Sequence, residues 1–417
     1  LRAWFNVDTR VATASLGGQL VAYAIAEQHA VANVGNVTWV TQLVVHANHR
    51  HSNVAKTLLH SLFGFSNDFC WGLVSANPYA VRALEKATRR RCSPKVVEEN
   101  KGVLLEFADK HVNYISSETS TEFSEGKCQI DTAFDLDHSG VENMVATVTT
   151  NDVPWTLGPL SPAHEWLAFT FNVQPQLKMS QAELDEMLEA SDQIAKDAYS
   201  RMALDESHKW TRHTPEEAEF IRNTCSLQPS SRILDVGCGI GRHSHALANV
   251  GHYVLGVDFS STLIARAREQ LSAAEFIVGD FRTLDLQQQF DCVVCLYDVI
   301  GSFARRRDNL DLIHNISRHL VPGGRAVISV LNMELTEAVA KQWFSLKQEP
   351  DRLLELQPSP TMQKTGDIFN PEFFMIESGE KVVYRKEQFR KDGKLDAELI
   401  VRDRRYSMDE ITGLLNV

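Results

Sequence analysis

The spacing of apolar residues changes character along the 417-residue chain. Up to about residue 112, alternating runs that predict strands ("QLVAYAIAEQHA", "VTWVTQLVVH") are mixed with helical spacing in "NVAKTLLHSLFG" and "AVRALEKATRR". From 113 to 195 the pattern weakens. Polar "SSETSTEFSEGKCQ" makes residues 116–127 the best linker or loop candidate, and "VPWTLGPLSPAHEWLAFTF" carries aromatic residues expected in a core. A patterned helix closes this stretch, with Ser180 as N-cap and Glu183 three residues on as a capping box. After 195, strands and helices alternate, which predicts a parallel α/β sheet. The expected division is therefore 1–112, a connecting region 113–195 that completes the first domain or bridges, and 196–417.

The sharpest local pattern is "RILDVGCGIG", residues 232–241. An apolar strand runs into three glycines (Gly237, Gly239, Gly241), then a helix, "RHSHALANVG", then a second strand ending at Asp258. This is a βαβ unit in which glycines let a ligand approach the backbone and an acid about twenty residues later can accept from ribose hydroxyls. The spacing is GxGxG after Asp235. The pyrophosphate fingerprint of dinucleotide enzymes would need glycine at 242, where Arg242 stands. The bland alternatives are a helix-packing turn for the glycines and a strand-end acid for Asp258. Downstream lie "FIVGDF" with Asp280, "FDCVVCLYDVIGSF", and a helix ending in "LVPGG" before another apolar strand.

In "LDVGCGIG", "VDFS", "GDF" and "LVPGG", in that order, residues 196–406 resemble the class I S-adenosylmethionine-dependent methyltransferases. The resemblance implies a Rossmann-like sheet of the seven-stranded type. Asp235, Gly237, Cys238 and Gly239 would face the methionine part of the cofactor, Asp258 the ribose, and Phe259 the adenine. Asp280 and Phe281 would read the adenine edge, and Leu296 and Tyr297 would close the pocket. An amine or hydroxyl acceptor must lose a proton, and His208, His213, Tyr297, Asp298 and Tyr406 are the candidate bases, each with a structural role as its alternative. The "NPPY" type of signature is absent and "LYDV" stands there, which favours a small flexible acceptor. Residues 333–406, with a hairpin turn in "FRKDGKLD", read as an antiparallel substrate lid. The hairpin that ends the family's sheet has no counterpart after "SMDEITGLLNV", which reads as truncation or as an edge completed by the lid strands.

The first region poses a similar question. A strand ending near Val45, a polar loop and a helix provide free N–H groups at a helix start. Residues 10–108 resemble the GNAT (GCN5-related) N-acetyltransferases, an α+β fold. The resemblance implies an acetyl-CoA site at Val45 and at Arg50, His51, Ser52, Asn53, Val54 and Ala55, with Asn77 opening a later helix. Asn53 and Ala55 replace the two loop glycines; asparagine tolerates the left-handed conformation. Leu84 stands where the tyrosine acid is usual, and Thr88-Arg89 where "GF" is usual. The domain is read either as a second catalytic unit, making the chain bifunctional, or as a non-catalytic module that presents a carrier or partner protein. A protein- or RNA-modifying enzyme is the third reading.

Charge and composition narrow these readings. Net charge is −12, which disfavours nucleic acid, and the basic runs at 89–91, 305–307 and 402–405 read as solvated helix ends and loops. No apolar run reaches eighteen residues, so no membrane span is expected. Seven scattered cysteines suit a reducing cytoplasm, and Cys292–Cys295 reads as buried core rather than a redox pair. Fifteen histidines without paired metal spacing give no metal site. The chain opens at Leu1 without a leader pattern and is read as a fragment; its oligomeric state is left open.

Overall fold

The computed structural model describes residues 9–63, 66–112, 121–124, 126–132, 134–135, 137–178, 181–202, 212–359, 367–391 and 394–415. The chain divides into two compact units after Met187. Ser180 and His208 lie outside the described residues.

Unit 1 contains β1 (Thr9–Leu16), β2 (Gln19–Val31), β3 (Gly35–Val45), α1 (Val54–Phe63), β4 (Cys70–Ser75), α2 (Pro78–Thr88), α3 (Pro94–Glu99) and α4 (Lys101–His111). It continues with β5 (Thr121–Ser124), β6 (Lys127–Asp131), α5 (Val141–Thr147), β7 (His164–Phe171) and the start of α6 (Gln181–Met202). One sheet runs in the order β1-β2-β3-β4-β7-β6-β5, with β3 and β4 its parallel pair. Small side chains at Ala12, Ala22, Ala24 and Ala26 line its covered face, where α1 packs on β1 and β2. Gly72 lies under the Phe169 ring, which a β-carbon would meet at 2.3 Å. Of the linker or loop expected at 116–127, residues 116–120 and 125 lie outside the described residues; β5 pairs with β6 in the rest and extends the sheet, and β7 inserts between β6 and β4. The first compact unit thus runs past the expected boundary at 112 and ends before the one at 195. Trp155 and Trp166 stack edge to face and both donate to Gly158 O, as core residues.

Unit 2 holds α7 (Thr214–Thr224), β8 (Arg232–Val236), α8 (Arg242–Asn249), β9 (Tyr253–Asp258), α9 (Ser261–Arg268), β10 (Glu275–Val278), β11 (Phe290–Cys295), α10 (Arg306–Arg318) and β12 (Leu320–Ile328). These strands form a parallel sheet in the order β10-β9-β8-β11-β12. The order reverses beside β8, so a crevice opens at the carboxyl ends of β8, β9 and β11. Burial on both faces explains why apolar residues fill most of β8 and β11, Asp235 and the exposed Asp291 apart. Cys292 and Cys295 are fully buried in β11.

After β12 come α11 (Met333–Val339), β13 (Trp343–Phe344), β14 (Pro358–Ser359), β15 (Phe374–Glu377), β16 (Val382–Lys391), β17 (Lys394–Arg404) and α12 (Met408–Leu415). A mixed sheet runs β13-β15-β16-β14, with β17 antiparallel to β16. Two of the basic runs expected to be solvated are not: Arg89, Arg90 and Arg405 are buried. Among the described residues, no helix is long and apolar enough to cross a membrane.

Candidate functional site

The glycine turn after β8 is left-handed at each glycine, with φ of 72° at Gly237, 57° at Gly239 and 80° at Gly241. Their surroundings differ. A β-carbon at Gly237 would lie 2.4 Å from Val299 Cγ2, and one at Gly241 would strike Phe276. At Gly239 it would meet nothing within 4 Å, which leaves open space above the main chain.

The turn's donors are already committed. The N–H groups of Gly237 and Cys238 both donate to Val257 O, that of Gly239 donates to Asp258 Oδ2 at 2.9 Å, and that of Gly241 to Cys238 O. A pyrophosphate needs such groups free. With these groups spent, the turn is a poor phosphate cradle, and the nearest charge to Gly239 N is the Asp258 carboxylate, which favours a ligand whose charged centre is positive.

Asp258 ends β9 and also accepts from Ser260 N at 2.9 Å, fixing its carboxylate at the crevice. Burial raises its pKa, against the pull of the two backbone donors. Phe259 follows with its ring half exposed, free to cover a planar group. Asp235 was expected to face the ligand; its buried carboxylate instead accepts from Ser244 Oγ of α8 at 2.6 Å. That bond ties α8 to β8. The Cys238 thiol lies beside Gly256, 2.9 Å from where a β-carbon there would sit.

The adenine-edge pair is altered too. Phe281 is a core side chain, packed against His319. The Asp280 carboxylate is gripped by Arg282, whose Nε lies 3.0 Å from Oδ1 and whose Nη2 lies 2.5 Å from Oδ2. That pairing holds Asp280 below the usual carboxylate range. Arg282 also pairs with Asp308 at 3.1 Å.

After β11 the chain takes two consecutive left-handed residues, Tyr297 (φ 56°) and Asp298 (φ 64°). Tyr297 N donates to Ser329 Oγ at 2.7 Å, and its hydroxyl donates to Glu217 of α7. Burial, then the Glu217 carboxylate, push this phenol up to about 12. Glu217 also pairs with His243 Nε2 at 2.8 Å, and these two partners outweigh burial to hold its carboxyl low. No motif pointed to Glu217. Leu296 joins the apolar cluster of Ile233, Leu247 and Val254.

Three of the candidate bases separate sharply. Tyr406 is buried among Leu234, Ile300 and Leu414, and burial raises its phenol to about 12, so it is a core residue and not a base. His213 is exposed at the start of α7, where Nε2 accepts from Arg212 Nε. Asp298 is part-buried beside the crevice and is raised to about 6, by burial first and then by Asp403, against Arg385 and Arg405.

In unit 1 the 50–55 loop has His51 (φ 60°) and Asn53 (φ 58°) left-handed, and Val54 and Ala55 open α1. Arg50 Nε donates to Val45 O and Ser52 Oγ to His49 O. Asn77 caps α2 by accepting from Tyr79 N. At the head of α1, Asn53 Nδ2 and Lys56 Nζ each donate to the Glu186 carboxylate at 2.6 Å. Leu84 is fully buried. Among the described residues no group of side chains could hold a metal ion.

A family model described as a methyltransferase domain matches residues 233–324. The chain is similar to a dTDP-4-amino-2,3,4,6-tetradeoxy-D-glucose N,N-dimethyltransferase of Saccharopolyspora spinosa, at 29% identity over 32% of this chain and 52% of that protein. It is 32% identical to a ubiquinone biosynthesis O-methyltransferase of Rickettsia conorii over 32% of this chain and 46% of that protein. It is 28% identical to the lovastatin diketide synthase mokB of Monascus pilosus over 40% of this chain and 8% of that protein. The chain thus spans about half or less of these relatives. A solved TehB-like SAM-dependent methyltransferase from Corynebacterium glutamicum is 29% identical over 34% of this chain and 72% of that one, with a TM-score of 0.27. The C-terminal region carries a class I S-adenosylmethionine-dependent methyltransferase domain.

Proposed function

We propose that residues 196–417 transfer a methyl group from S-adenosylmethionine to the nitrogen or oxygen of a small-molecule acceptor. The observation that carries this reading is the glycine turn, whose N–H groups are spent on β9 and Asp258 while the space over Gly239 stays open. That arrangement suits a cationic sulfonium nucleoside and disfavours a dinucleotide. Asp258 would hold the ribose and Phe259 would lie against the adenine. The Asp280 carboxylate would read the base's edge once Arg282 releases it. The bound cofactor supplies an electrophilic methyl whose leaving group is a neutral thioether, so the chain needs no nucleophile of its own. Its residues position the acceptor, exclude water and receive a proton. The relatives, an N,N-dimethyltransferase of a dTDP-amino sugar and an O-methyltransferase of ubiquinone biosynthesis, support a small acceptor of either kind.

Titration calorimetry with S-adenosylmethionine, S-adenosylhomocysteine and NAD tests this. Binding of the first two, weakened about 100-fold in Asp258→Ala by loss of two or more hydrogen bonds, is expected. Uptake of NAD alone would overturn it.

Unit 1 is read as an accessory, GNAT-like module at 1–187. Its strand order and the 50–55 loop support that reading, with acetyl-CoA as its ligand to be tested. Leu84 in place of an acid, and Glu186 seated at the head of α1, favour binding over acetyl transfer. A module that presents a carrier or partner protein is the second reading, favoured by the same two residues.

A further inference from the structure

Resting on the methyltransferase reading above, we infer that Arg282 is an internal competitor for the cofactor's base. It fills the Asp280 carboxylate that an adenine amine would use, and so sets both the affinity of the pocket and its preference for adenine. The two acids at this end of the sheet are held in different ways. Asp258 accepts one backbone N–H on each oxygen, from Gly239 on Oδ2 and from Ser260 on Oδ1, both at 2.9 Å. A carboxylate oxygen has room for about two donors, so each keeps capacity for a ribose hydroxyl. Asp280 stands close by, because Gly279 N donates to Asp258 O at 2.9 Å. Its oxygens are filled. Arg282 N and Nε each lie 3.0 Å from Oδ1, and Nε at 3.1 Å and Nη2 at 2.5 Å address Oδ2. One residue thus supplies about as many contacts as a carboxylate accepts.

Arg282 can leave Asp280 without being stranded. Its Nη1, on the other edge of the guanidinium, lies 3.1 Å from Asp308 Oδ1 in the first turn of α10. Its Cζ stands over the Phe303 ring, 4.5 Å from the centroid. Both contacts use parts of the side chain that do not touch Asp280. The same guanidinium therefore bridges two anions, and only one of them borders the base. The three side chains are part exposed, at 24% for Arg282, 42% for Asp280 and 28% for Asp308. A pair this open shifts an equilibrium by about fivefold or less, so a ligand can break the grip.

An exocyclic amine is a donor, and it gains the carboxylate by displacing Arg282 from it. A carbonyl at the same place on the base is an acceptor; it gains nothing from the carboxylate and leaves Arg282 where it is. The affinity for an adenosyl ligand is then the intrinsic affinity reduced by the fraction of molecules in which Asp280 is open. For a base with a carbonyl, that fraction does not enter. Asp308 and Phe303 raise it by holding Arg282 from the far side.

Calorimetry with S-adenosylhomocysteine and with S-inosylhomocysteine, in which a carbonyl replaces the adenine amine, reads this competition through binding alone. Arg282→Met should bind S-adenosylhomocysteine about three- to fivefold more tightly than the wild type and leave S-inosylhomocysteine unchanged. Asp308→Asn removes the second anion of Arg282 and should move S-adenosylhomocysteine the opposite way, to about two- to threefold weaker binding, again without moving the inosine ligand. Opposite signs in the two variants, confined to the ligand with the amine, are what a merely structural role would not produce. Adenosyl binding that is unchanged or weaker in Arg282→Met, unchanged or tighter in Asp308→Asn, or shifted equally with the inosine ligand in either, overturns the competition and leaves the methyltransferase reading standing. Failure of the wild type to bind either ligand removes both.

Discussion

Gly237 and Gly239 share a sign of φ and differ in what surrounds them. At Gly237 an alanine adds strain and a 2.4 Å clash with Val299, which together cost about 2–5 kcal/mol. At Gly239 it adds only the left-handed strain, about 1–2 kcal/mol, while its methyl enters the open cradle. Gly237→Ala should therefore lower the melting temperature sharply, and Gly239→Ala should keep the fold but bind S-adenosylhomocysteine at least about tenfold more weakly. Equal melting temperatures, or equal affinities, would contradict that split. Asp298 carries a second residue-scale prediction. Its pKa is raised in the folded chain to about 6, so what it adds to stability is complete below its ordinary pKa of 3.8 and is lost as pH rises through about 6. Asp298→Asn should accordingly melt higher than the wild type at pH 8, by a few degrees on the scale of about 2–4 °C per kcal/mol, with little difference at pH 4. An equal shift at both pH values would show that the carboxylate's charge is not the cause.

At the scale of elements, β16 and β17 are joined through Asp403, which bridges Arg385 across the ladder and Arg405 beyond the strand end. Burial tends to raise Asp403, but the two guanidiniums outweigh it and hold its carboxyl low. Its contribution is present above the ordinary pKa of 3.8 and is lost as pH falls through the lower folded value. Asp403→Asn takes from Arg385 and Arg405 the buried carboxylate that they share and should cost about 3–5 kcal/mol in urea unfolding at pH 7. A change below about 1 kcal/mol would mean the cluster is solvated after all. "RDRR" reads as a surface run because a charge pattern shows no partners. Asp403 finds Arg385 eighteen residues back only because β16 and β17 pair in one register. The 89–91 run is similar: Arg90 lies over the Trp71 ring and donates to Asn172 Oδ1, a residue 82 positions away. In α1, Glu186 occupies Asn53 and Lys56, so Glu186→Gln should strengthen any acetyl-CoA binding to the loop by removing a competing anion. An unchanged or weaker affinity by calorimetry would show that the loop is not the site.

At the scale of the whole chain, separate hydrophobic cores, one in 1–187 and others in 188–417, predict more than one transition in a calorimetric scan. S-Adenosylhomocysteine at a hundred times its dissociation constant should raise the transition of residues 188–417 by the equivalent of about 2.7 kcal/mol and leave that of unit 1 in place. A single transition that shifts as one would mean the units melt together. The parallel sheet, the glycine turn and the acid at the end of β9 were legible from residue order alone. Each is a short-range pattern, in which apolar runs, glycines and a carboxylate sit within about thirty residues and are joined by local backbone rules. Pairing between distant segments was not legible. Polar Thr121–Ser124 became the edge strand β5 because β7, more than thirty residues on, supplied a partner for β6, on which β5 pairs. Tyr406 and Asp298 looked equally eligible as bases, and only packing sent one phenol into the core and left one carboxylate at the crevice. Burial and charge balance are sums over neighbours that the chain meets only when folded, so a residue's type announces its chemistry and its neighbours decide whether that chemistry is used.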